Sequence, residues 1–263
     1  MRIAIFSDVH GNLTALEAVL QDIEEQGVYD IVFAGDLCLF GPRPQDCVDA
    51  VRHRDDISAI YGNTDQALDG PPLLSRDIKE EEKQRRQRVN DITSWTRETL
   101  SEMNRAWLRE LPFHRRFSPT VQAQDDLFIV HANPLDVNQV IFPPLDLQME
   151  LYGRVRQPDD ALAPLLEGVV SGILAFGHLH IPSVRHWNDL LLLNVSSVSM
   201  PGDGDTRAKY AIVYWDGTQW HAEHRRVTYD VESEIAAFHD NRPPGWEKAV
   251  QALQEEGMMR QKV

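Results

Sequence analysis

Residues 173–180, ILAFGHLH, carry an apolar run to a glycine and then set two histidines one residue apart. Side chains two apart on a strand face the same side, so His178 and His180 are expected to point one way from a strand end. The same kind of ending recurs along the chain. RIAIF runs into Ser7, Asp8, Val9 and His10; DIVFAG runs into Asp36; ISAIYG runs into Asn63, Thr64 and Asp65; LFIV runs into His131. Taken singly, each has an ordinary explanation. A buried histidine is commonly a hydrogen-bonded core residue, and Gly-Asp or Gly-Asn is a common turn pair. Five apolar segments that all end in Asp, Asn or His are harder to explain by packing. An aspartate at a buried strand end is also costly unless it is paired or bound to metal.

Together, Asp8, His10, Asp36, Asn63, His131, His178 and His180 make a mixed nitrogen and oxygen donor set. Such a set suits Mn, Fe, Zn, Co or Ni rather than Ca. It is too large for one ion and suits two, about 3.5–4 Å apart and bridged by a carboxylate. An ion pair of that kind binds the anionic oxygens of a phosphate ester. It also makes hydroxide available near neutral pH and stabilises the entering and leaving oxygens of an in-line attack.

The elements that must position these residues read as α/β, because short β-rich runs alternate with amphipathic segments. Strands are expected at 2–6, 29–35, 57–62, 127–131, 173–177, 190–198, 209–217 and 220–230. Leu13, Leu16, Val19, Leu20 and Ile23 recur at helical spacing after the first strand. Helices are also expected at 47–52 and at 159–169, the latter limited or kinked by Pro164. A charged helical insert occupies about 75–111, and its run IKEEEKQRR reads as a solvated face. A helical tail follows from 231 to 263 and loses its pattern toward the end. No composition break divides the chain, so 1–263 is expected to be one domain. In open α/β sheets, sites form beyond the carboxyl ends of the strands, where these side chains would converge.

The chain has 263 residues, 42% hydrophobic, and a formal net charge of −15. That surface disfavours nucleic-acid polymers and anionic membranes as partners. An anionic substrate would therefore need a local positive centre, which bound metal ions would supply. Cys38 and Cys47 are the only cysteines, too few for a disulfide scaffold and expected to be buried packing residues. No apolar run approaches the roughly 20 residues of a membrane span, and the first residues lack the pattern of a signal peptide. A cytoplasmic location is expected.

Read in order, Asp8-Val-His10, Gly35-Asp36, Gly62-Asn63-Thr64-Asp65, His131 and Gly177-His178-Leu179-His180 resemble the calcineurin-like metallophosphoesterase superfamily, and within it the small bacterial and archaeal phosphodiesterase branch. The resemblance runs from residue 1 to about 217, including SDVHGNLTALEAVL, GDLCLFGPRPQDCV and NVSSVSMPGDGDTRAKYAIV. It implies a four-layer α/β/β/α sandwich with two mixed sheets and a dinuclear metal site at the C-terminal strand ends. It further implies that Asp8, His10, Asp36 and His180 hold the first ion. Asp36 bridges, and Asn63, His131 and His178 complete the second. Two divalent transition-metal ions are implied, manganese first among them, with a metal-bridging hydroxide attacking phosphorus directly. The expected partner is a small phosphate ester. The resemblance also allows a homodimer, with the helix-rich tail as the candidate surface.

Two features depart from the family pattern. Many relatives carry a histidine in a GNHD or GNHE motif, which serves the leaving group, where this chain has Thr64. A hydroxyl donates a hydrogen bond but is no general acid near neutral pH, and losing such an acid costs about 10²–10⁴-fold for a poor leaving group. This favours phosphodiesters, nucleotides or pyrophosphate-like bonds over unactivated monoesters. Asp65 is expected to hold Thr64, a ligand histidine or a water, or to take part of the acid role. NVSSVSMP is poorer in glycine than the corresponding loop of relatives, and Ser196 and Ser199 are expected to narrow it. Asn12 is a candidate phosphate contact or a helix cap. Arg207 is a candidate phosphate contact or the partner of an aspartate. The leading expectation is a dinuclear phosphodiesterase. The alternatives are a nucleotide or dinucleoside polyphosphate hydrolase, and a noncatalytic metal-binding scaffold.

Overall fold

The computed structural model describes residues 1–73 and 79–260. In chain order its elements are β1 (Arg2–Phe6), α1 (Leu13–Glu25), β2 (Asp30–Phe33), α2 (Pro44–Arg52), β3 (Ile57–Ala59), α3 (Asn63–Ala67), α4 (Glu80–Thr99) and α5 (Glu102–Glu110). Then come β4 (His114–Phe117), β5 (Leu127–Val130), α6 (Leu145–Tyr152), α7 (Ala163–Leu166), β6 (Ile173–Phe176), β7 (Ser183–Trp187) and β8 (Leu190–Asn194). The chain continues through β9 (Ala208–Trp215), β10 (Trp220–Val227), α8 (Val231–Asn241) and α9 (Trp246–Arg260).

These strands form two five-stranded sheets, ordered β10-β9-β1-β2-β3 and β4-β5-β6-β8-β7. Both are mixed. β1, β2 and β3 run parallel, as do β5, β6 and β8, while β9, β10, β4 and β7 pair antiparallel. Strand alternation builds the layers. Ile3, Ile5, Val32 and Ala34 face Leu127, Ile129, Ile173, Ala175 and Leu193 across the gap between the sheets. The alternate residues Ala4, Phe6, Ile31 and Phe33 pack outward against the buried stripe of α1, which includes Leu16, Val19 and Ile23. On the far side, Phe128, Val130, Leu174 and Phe176 pack against Leu162, Leu165 and Leu166. The result is the α/β/β/α sandwich. Because both faces of the central parallel strands are covered, those strands read as near-continuous apolar runs.

Several expected boundaries shift. Segment 159–169 is a 3-10 turn over Asp159–Leu162 followed by the short α7, with Pro164 in its first turn. Proline lacks the N–H that a longer helix would need there. The strand expected to 198 stops at Asn194, and Ser196 turns into the left-handed region at φ 71°. The ILAF strand, expected to 177, likewise ends at Phe176, so His178 and His180 lie beyond it rather than on it. The insert comprises α4 and α5, with 75–78 outside the described residues. The tail is α8 and α9, with 261–263 outside them. β4, α6 and β7 are additional. β4 and β7 are short and mostly polar, and α6 alternates apolar and polar residues, which hides all three from an apolar-run criterion. Among the described residues, no helix is long and apolar enough to cross a membrane.

Candidate metal centre

The ends of β1, β2, β5 and β6 meet at one edge of the sandwich and bring six of the expected ligands into two groups. Asp8, His10 and His180 form one, and Asp36, His131 and His178 the other, with the ligand atoms in each group within 4.8 Å of one another. Asp36 faces both groups: its Oδ2 is 3.9 Å from His10 Nε2 and its Oδ1 is 3.5 Å from His131 Nε2. Asn63 joins the second group, with Oδ1 3.0 Å from His131 Nε2.

The local backbone is unusual. Asp8, His10, Asp36, His178 and His180 all have positive φ, between 50° and 66°. Asp and His tolerate this region better than most residues, but it still carries strain, and such strain concentrates at functional sites. It also explains how His178 and His180 reach different groups. Strand alternation, which would point them together, does not apply past Phe176. Glycine is required where the carboxylates pack on backbone. A Cβ on Gly62 would lie 2.1 Å from Asp36 Oδ1, and one on Gly177 would lie 2.3 Å from Asp8 Oδ2.

The donor chemistry fits divalent transition ions. Each histidine has one ring nitrogen beside a backbone carbonyl oxygen, which can only accept, so that nitrogen carries the proton. His10 Nδ1 meets Leu39 O at 3.2 Å, His131 Nδ1 meets Ala34 O at 2.9 Å, and His180 Nδ1 meets Met200 O at 2.8 Å. His178 reverses the ring, with Nε2 2.9 Å from Asn138 O. This carbonyl anchoring fixes tautomer and ring orientation, as is usual around ligated metals. The carboxylates are also aimed: the His178 amide donates to Asp8 Oδ2, and the Thr64 amide donates to Asp36 Oδ1.

Charge is distributed unevenly. Burial drives His10 down to about 4, against the pull of Asp36 and Asp8, and burial also lowers His178. Burial acts the same way on His131, but Asp36 beside it prevails and raises it to about 10. His180 is raised by Asp8, again against burial. Asp8 and Asp36 are held below the usual carboxylate range despite burial, by His180 and His131 respectively.

The remaining candidates sort clearly. Asp65 does not hold the Thr64 hydroxyl or a ligand histidine. Its carboxylate accepts from the backbone amides of Asp36, Leu37 and Gly62, clamping the Asp36 turn onto the start of α3. Burial and the Asp36 charge raise its pKa to about 6. The Thr64 hydroxyl is buried and has no hydrogen-bond partner among the described residues. Asn12 caps α1, accepting from the Ala15 amide at 2.9 Å, and its Nδ2 donates to Ser199 Oγ at 3.4 Å. Arg207 pairs with Asp205 through Nε at 3.0 Å and Nη2 at 2.6 Å. Ser199 and Ser196 do lie at the site, where the Ser199 amide donates to Asp8 O and Ser196 Oγ donates to His180 O. Cys38 and Cys47 are buried and unpaired.

A cavity of about 790 Å³ opens onto both groups and is lined by Asn63, Thr64 and His178 and by Arg85 and Arg97 of α4. Sequence reasoning missed these arginines. Their signal was present, since Arg85, Val89, Thr93 and Arg97 repeat every fourth residue and form one helix face.

The comparisons agree with this geometry. Residues 1–218 match the calcineurin-like phosphoesterase superfamily domain. The chain belongs to that superfamily and is a metal-dependent phosphoester hydrolase. An uncharacterized protein of Methanocaldococcus jannaschii, MJ0912, is 28% identical over 248 residues, spanning 93% of this chain and 94% of its own length. The crystal structure of a metallophosphoesterase from Sphaerobacter thermophilus is 25% identical with a TM-score of 0.68, covering 97% of this chain and 99% of the other. Hypothetical protein PH1004 from Pyrococcus horikoshii OT3 shares the fold, with a TM-score of 0.75 at 17% identity over 96% of this chain and 97% of its own.

Proposed function

We propose that the chain is a dinuclear metal-dependent phosphodiesterase acting on a small phosphate ester, with manganese as the first ion to test. The observation that carries this reading is the pair of ligand groups sharing Asp36 at the mouth of one large cavity. In it, Asp8, His10, Asp36 and His180 hold one ion, and Asp36, Asn63, His131 and His178 hold the other. When bound, the two ions neutralise phosphate oxygens and lower the pKa of water so that a nucleophile exists near neutral pH.

The chain's own residues supply the remainder. Arg85 and Arg97 add positive charge to the cavity of an otherwise acidic protein. The Thr64 hydroxyl, buried beside Asp36 and without a partner among the described residues, donates to a substrate or leaving-group oxygen. Asp65 acts through the backbone and fixes the Asp36 carboxylate. Among the described residues, no imidazole outside the ligand set lines this cavity, and a threonine does not protonate a poor leaving group. This favours diesters with stable leaving groups over alkyl monoesters. The two buried free thiols support a cytoplasmic location.

The test is hydrolysis of bis-nitrophenyl phosphate against nitrophenyl phosphate with added manganese, with His10→Ala as control. A diester preference that disappears in the control is the expected result. Faster monoester hydrolysis would overturn the diester assignment.

A further inference from the structure

The ligand groups lie where two cavities meet. Besides the large polar cavity, a second one of about 350 Å³ lies between α4 and the α8–α9 pair. His10, Phe40, Arg85, Val89 and Met200 line both. A phosphorus held at the ligand groups therefore has room for two substituents, one directed into each cavity.

The smaller cavity has its own chemistry. Phe40, Val89, Ile92, Phe238, Trp246 and Leu253 form its apolar walls. Arg85, Arg88 and Lys248 also line it, and all three are exposed. Glu234 lines it too, and is itself fully buried. Its Oε2 accepts from the Thr14 hydroxyl and from the Arg43 guanidinium, while its Oε1 is buried and has no partner among the described residues. A buried acceptor without a donor is costly, and a ligand N–H at this wall would satisfy it. Phe40 adds a further sign of function. Its φ of 88° is rare for a bulky residue, and this turn sets its ring 5.5 Å from that of His10, at the junction of the two cavities. α8 and α9 lie beyond the 1–218 family match, so one wall of this pocket is built from outside the matched domain.

We propose that the smaller cavity is the subsite for one ester arm of the substrate and takes a flat aromatic ring bearing an N–H donor, the nucleobase of a nucleoside phosphodiester. Phe40 and Trp246 provide the stacking surfaces and Glu234 the acceptor. The second arm occupies the larger polar cavity. This assignment rests on the phosphodiesterase reading, which it narrows to a substrate class.

The test is calorimetric titration of the manganese-loaded chain with adenosine 5′-monophosphate and with ribose 5-phosphate, which present the same phosphate with and without a base. The nucleotide should bind roughly tenfold tighter or more, the usual worth of a base stacked on an aromatic side chain. That gap should close in Trp246→Ala. It should also close in Ala252→Trp, which fills the cavity from an exposed position and leaves the core intact. Equal affinities in the parent chain, no binding of either ligand, or a gap untouched by both variants would overturn the assignment. Diester hydrolysis by the same preparation separates the two readings. Hydrolysis with equal affinities removes only the nucleobase pocket. A base-dependent gap without hydrolysis of any diester supports the pocket and removes the phosphodiesterase reading.

Discussion

The two ligand groups contain the same side chains, one aspartate and two histidines each, but are balanced differently. In both, one imidazole rests against its aspartate and is pulled toward the charged form: His180 by Asp8 at 3.1 Å and His131 by Asp36 at 3.5 Å. In both, burial pushes the other imidazole below its ordinary value. His131, raised to about 10, keeps a proton that a cation at the second group must displace. The second group is the more extreme. His131 is fully buried and raised to about 10, and Asn63 adds a further oxygen. The first group borrows Asp36 from the second, at 3.9 Å from His10 Nε2. The groups are thus unequal and coupled, and the coupling runs through a single carboxylate.

The sharpest way to break this picture is to remove the shared residue. Asp36→Ala should empty both groups and lower kcat/KM by about 10³-fold or more, since each lost ion withdraws several kcal/mol of charge stabilisation. Asp8→Ala should empty one group only. Elemental analysis that finds the same metal content in both variants would contradict the sharing.

Next in size is the clamp beneath Asp36. Asp65→Ala leaves the buried amides of Asp36, Leu37 and Gly62 without their acceptor. The expected loss is about 3 kcal/mol or more of unfolding free energy, read from a urea titration of the metal-free chain. A loss below about 1 kcal/mol would mean that the clamp is dispensable.

A smaller effect should fall on the first group alone in Gly177→Ala, whose new Cβ would meet Asp8 Oδ2 at 2.3 Å. Displacing a ligand in this way should weaken metal binding by about 10–100-fold, as outer-shell changes do. Gly62→Ala is the counterpart aimed at Asp36. If both variants change binding identically, the groups are not separable.

The inequality between the groups also predicts a pH effect. His131 is raised above its ordinary value, so it is protonated at neutral pH and must release that proton on binding metal. Apparent affinity at the second group should rise by about tenfold per pH unit between roughly 7 and 9 and level off as pH passes His131's own value. In the metal-free chain the sign reverses for stability. A raised histidine contributes fully below its unfolded value of about 6.5, and that contribution is lost as pH rises through about 10. Titrations in buffers of different ionisation enthalpy count the protons released, and a count of zero would show that His131 is neutral before binding.

Much of the site is legible in sequence because buried parallel strands make continuous apolar runs, and the first polar residue after each run marks its end. That logic locates Asp36 and His131 directly, and Asp8 one residue past Ser7. It does not reveal how His178 and His180 part company, because both adopt left-handed backbone at φ 64° and 61° and leave the strand geometry on which the reasoning depends. Nor does the spacing of GNTD show that Asp65 turns toward three backbone amides rather than toward Thr64. The contribution of α4 is masked for a different reason. Arg85 and Arg97 stand in a strongly charged helix, and a cavity-lining face made of arginine and threonine has the same pattern as a solvated one. α9 is similarly faint, since only Val250 is fully buried among its described side chains.

The most direct test of the account is the metal content of the chain after equilibration with manganese, measured for the parent protein, Asp8→Ala and Asp36→Ala. The account predicts two ions per chain in the parent, one in Asp8→Ala and none in Asp36→Ala. A single ion in the parent, or none, would contradict the dinuclear centre on which the proposed chemistry depends.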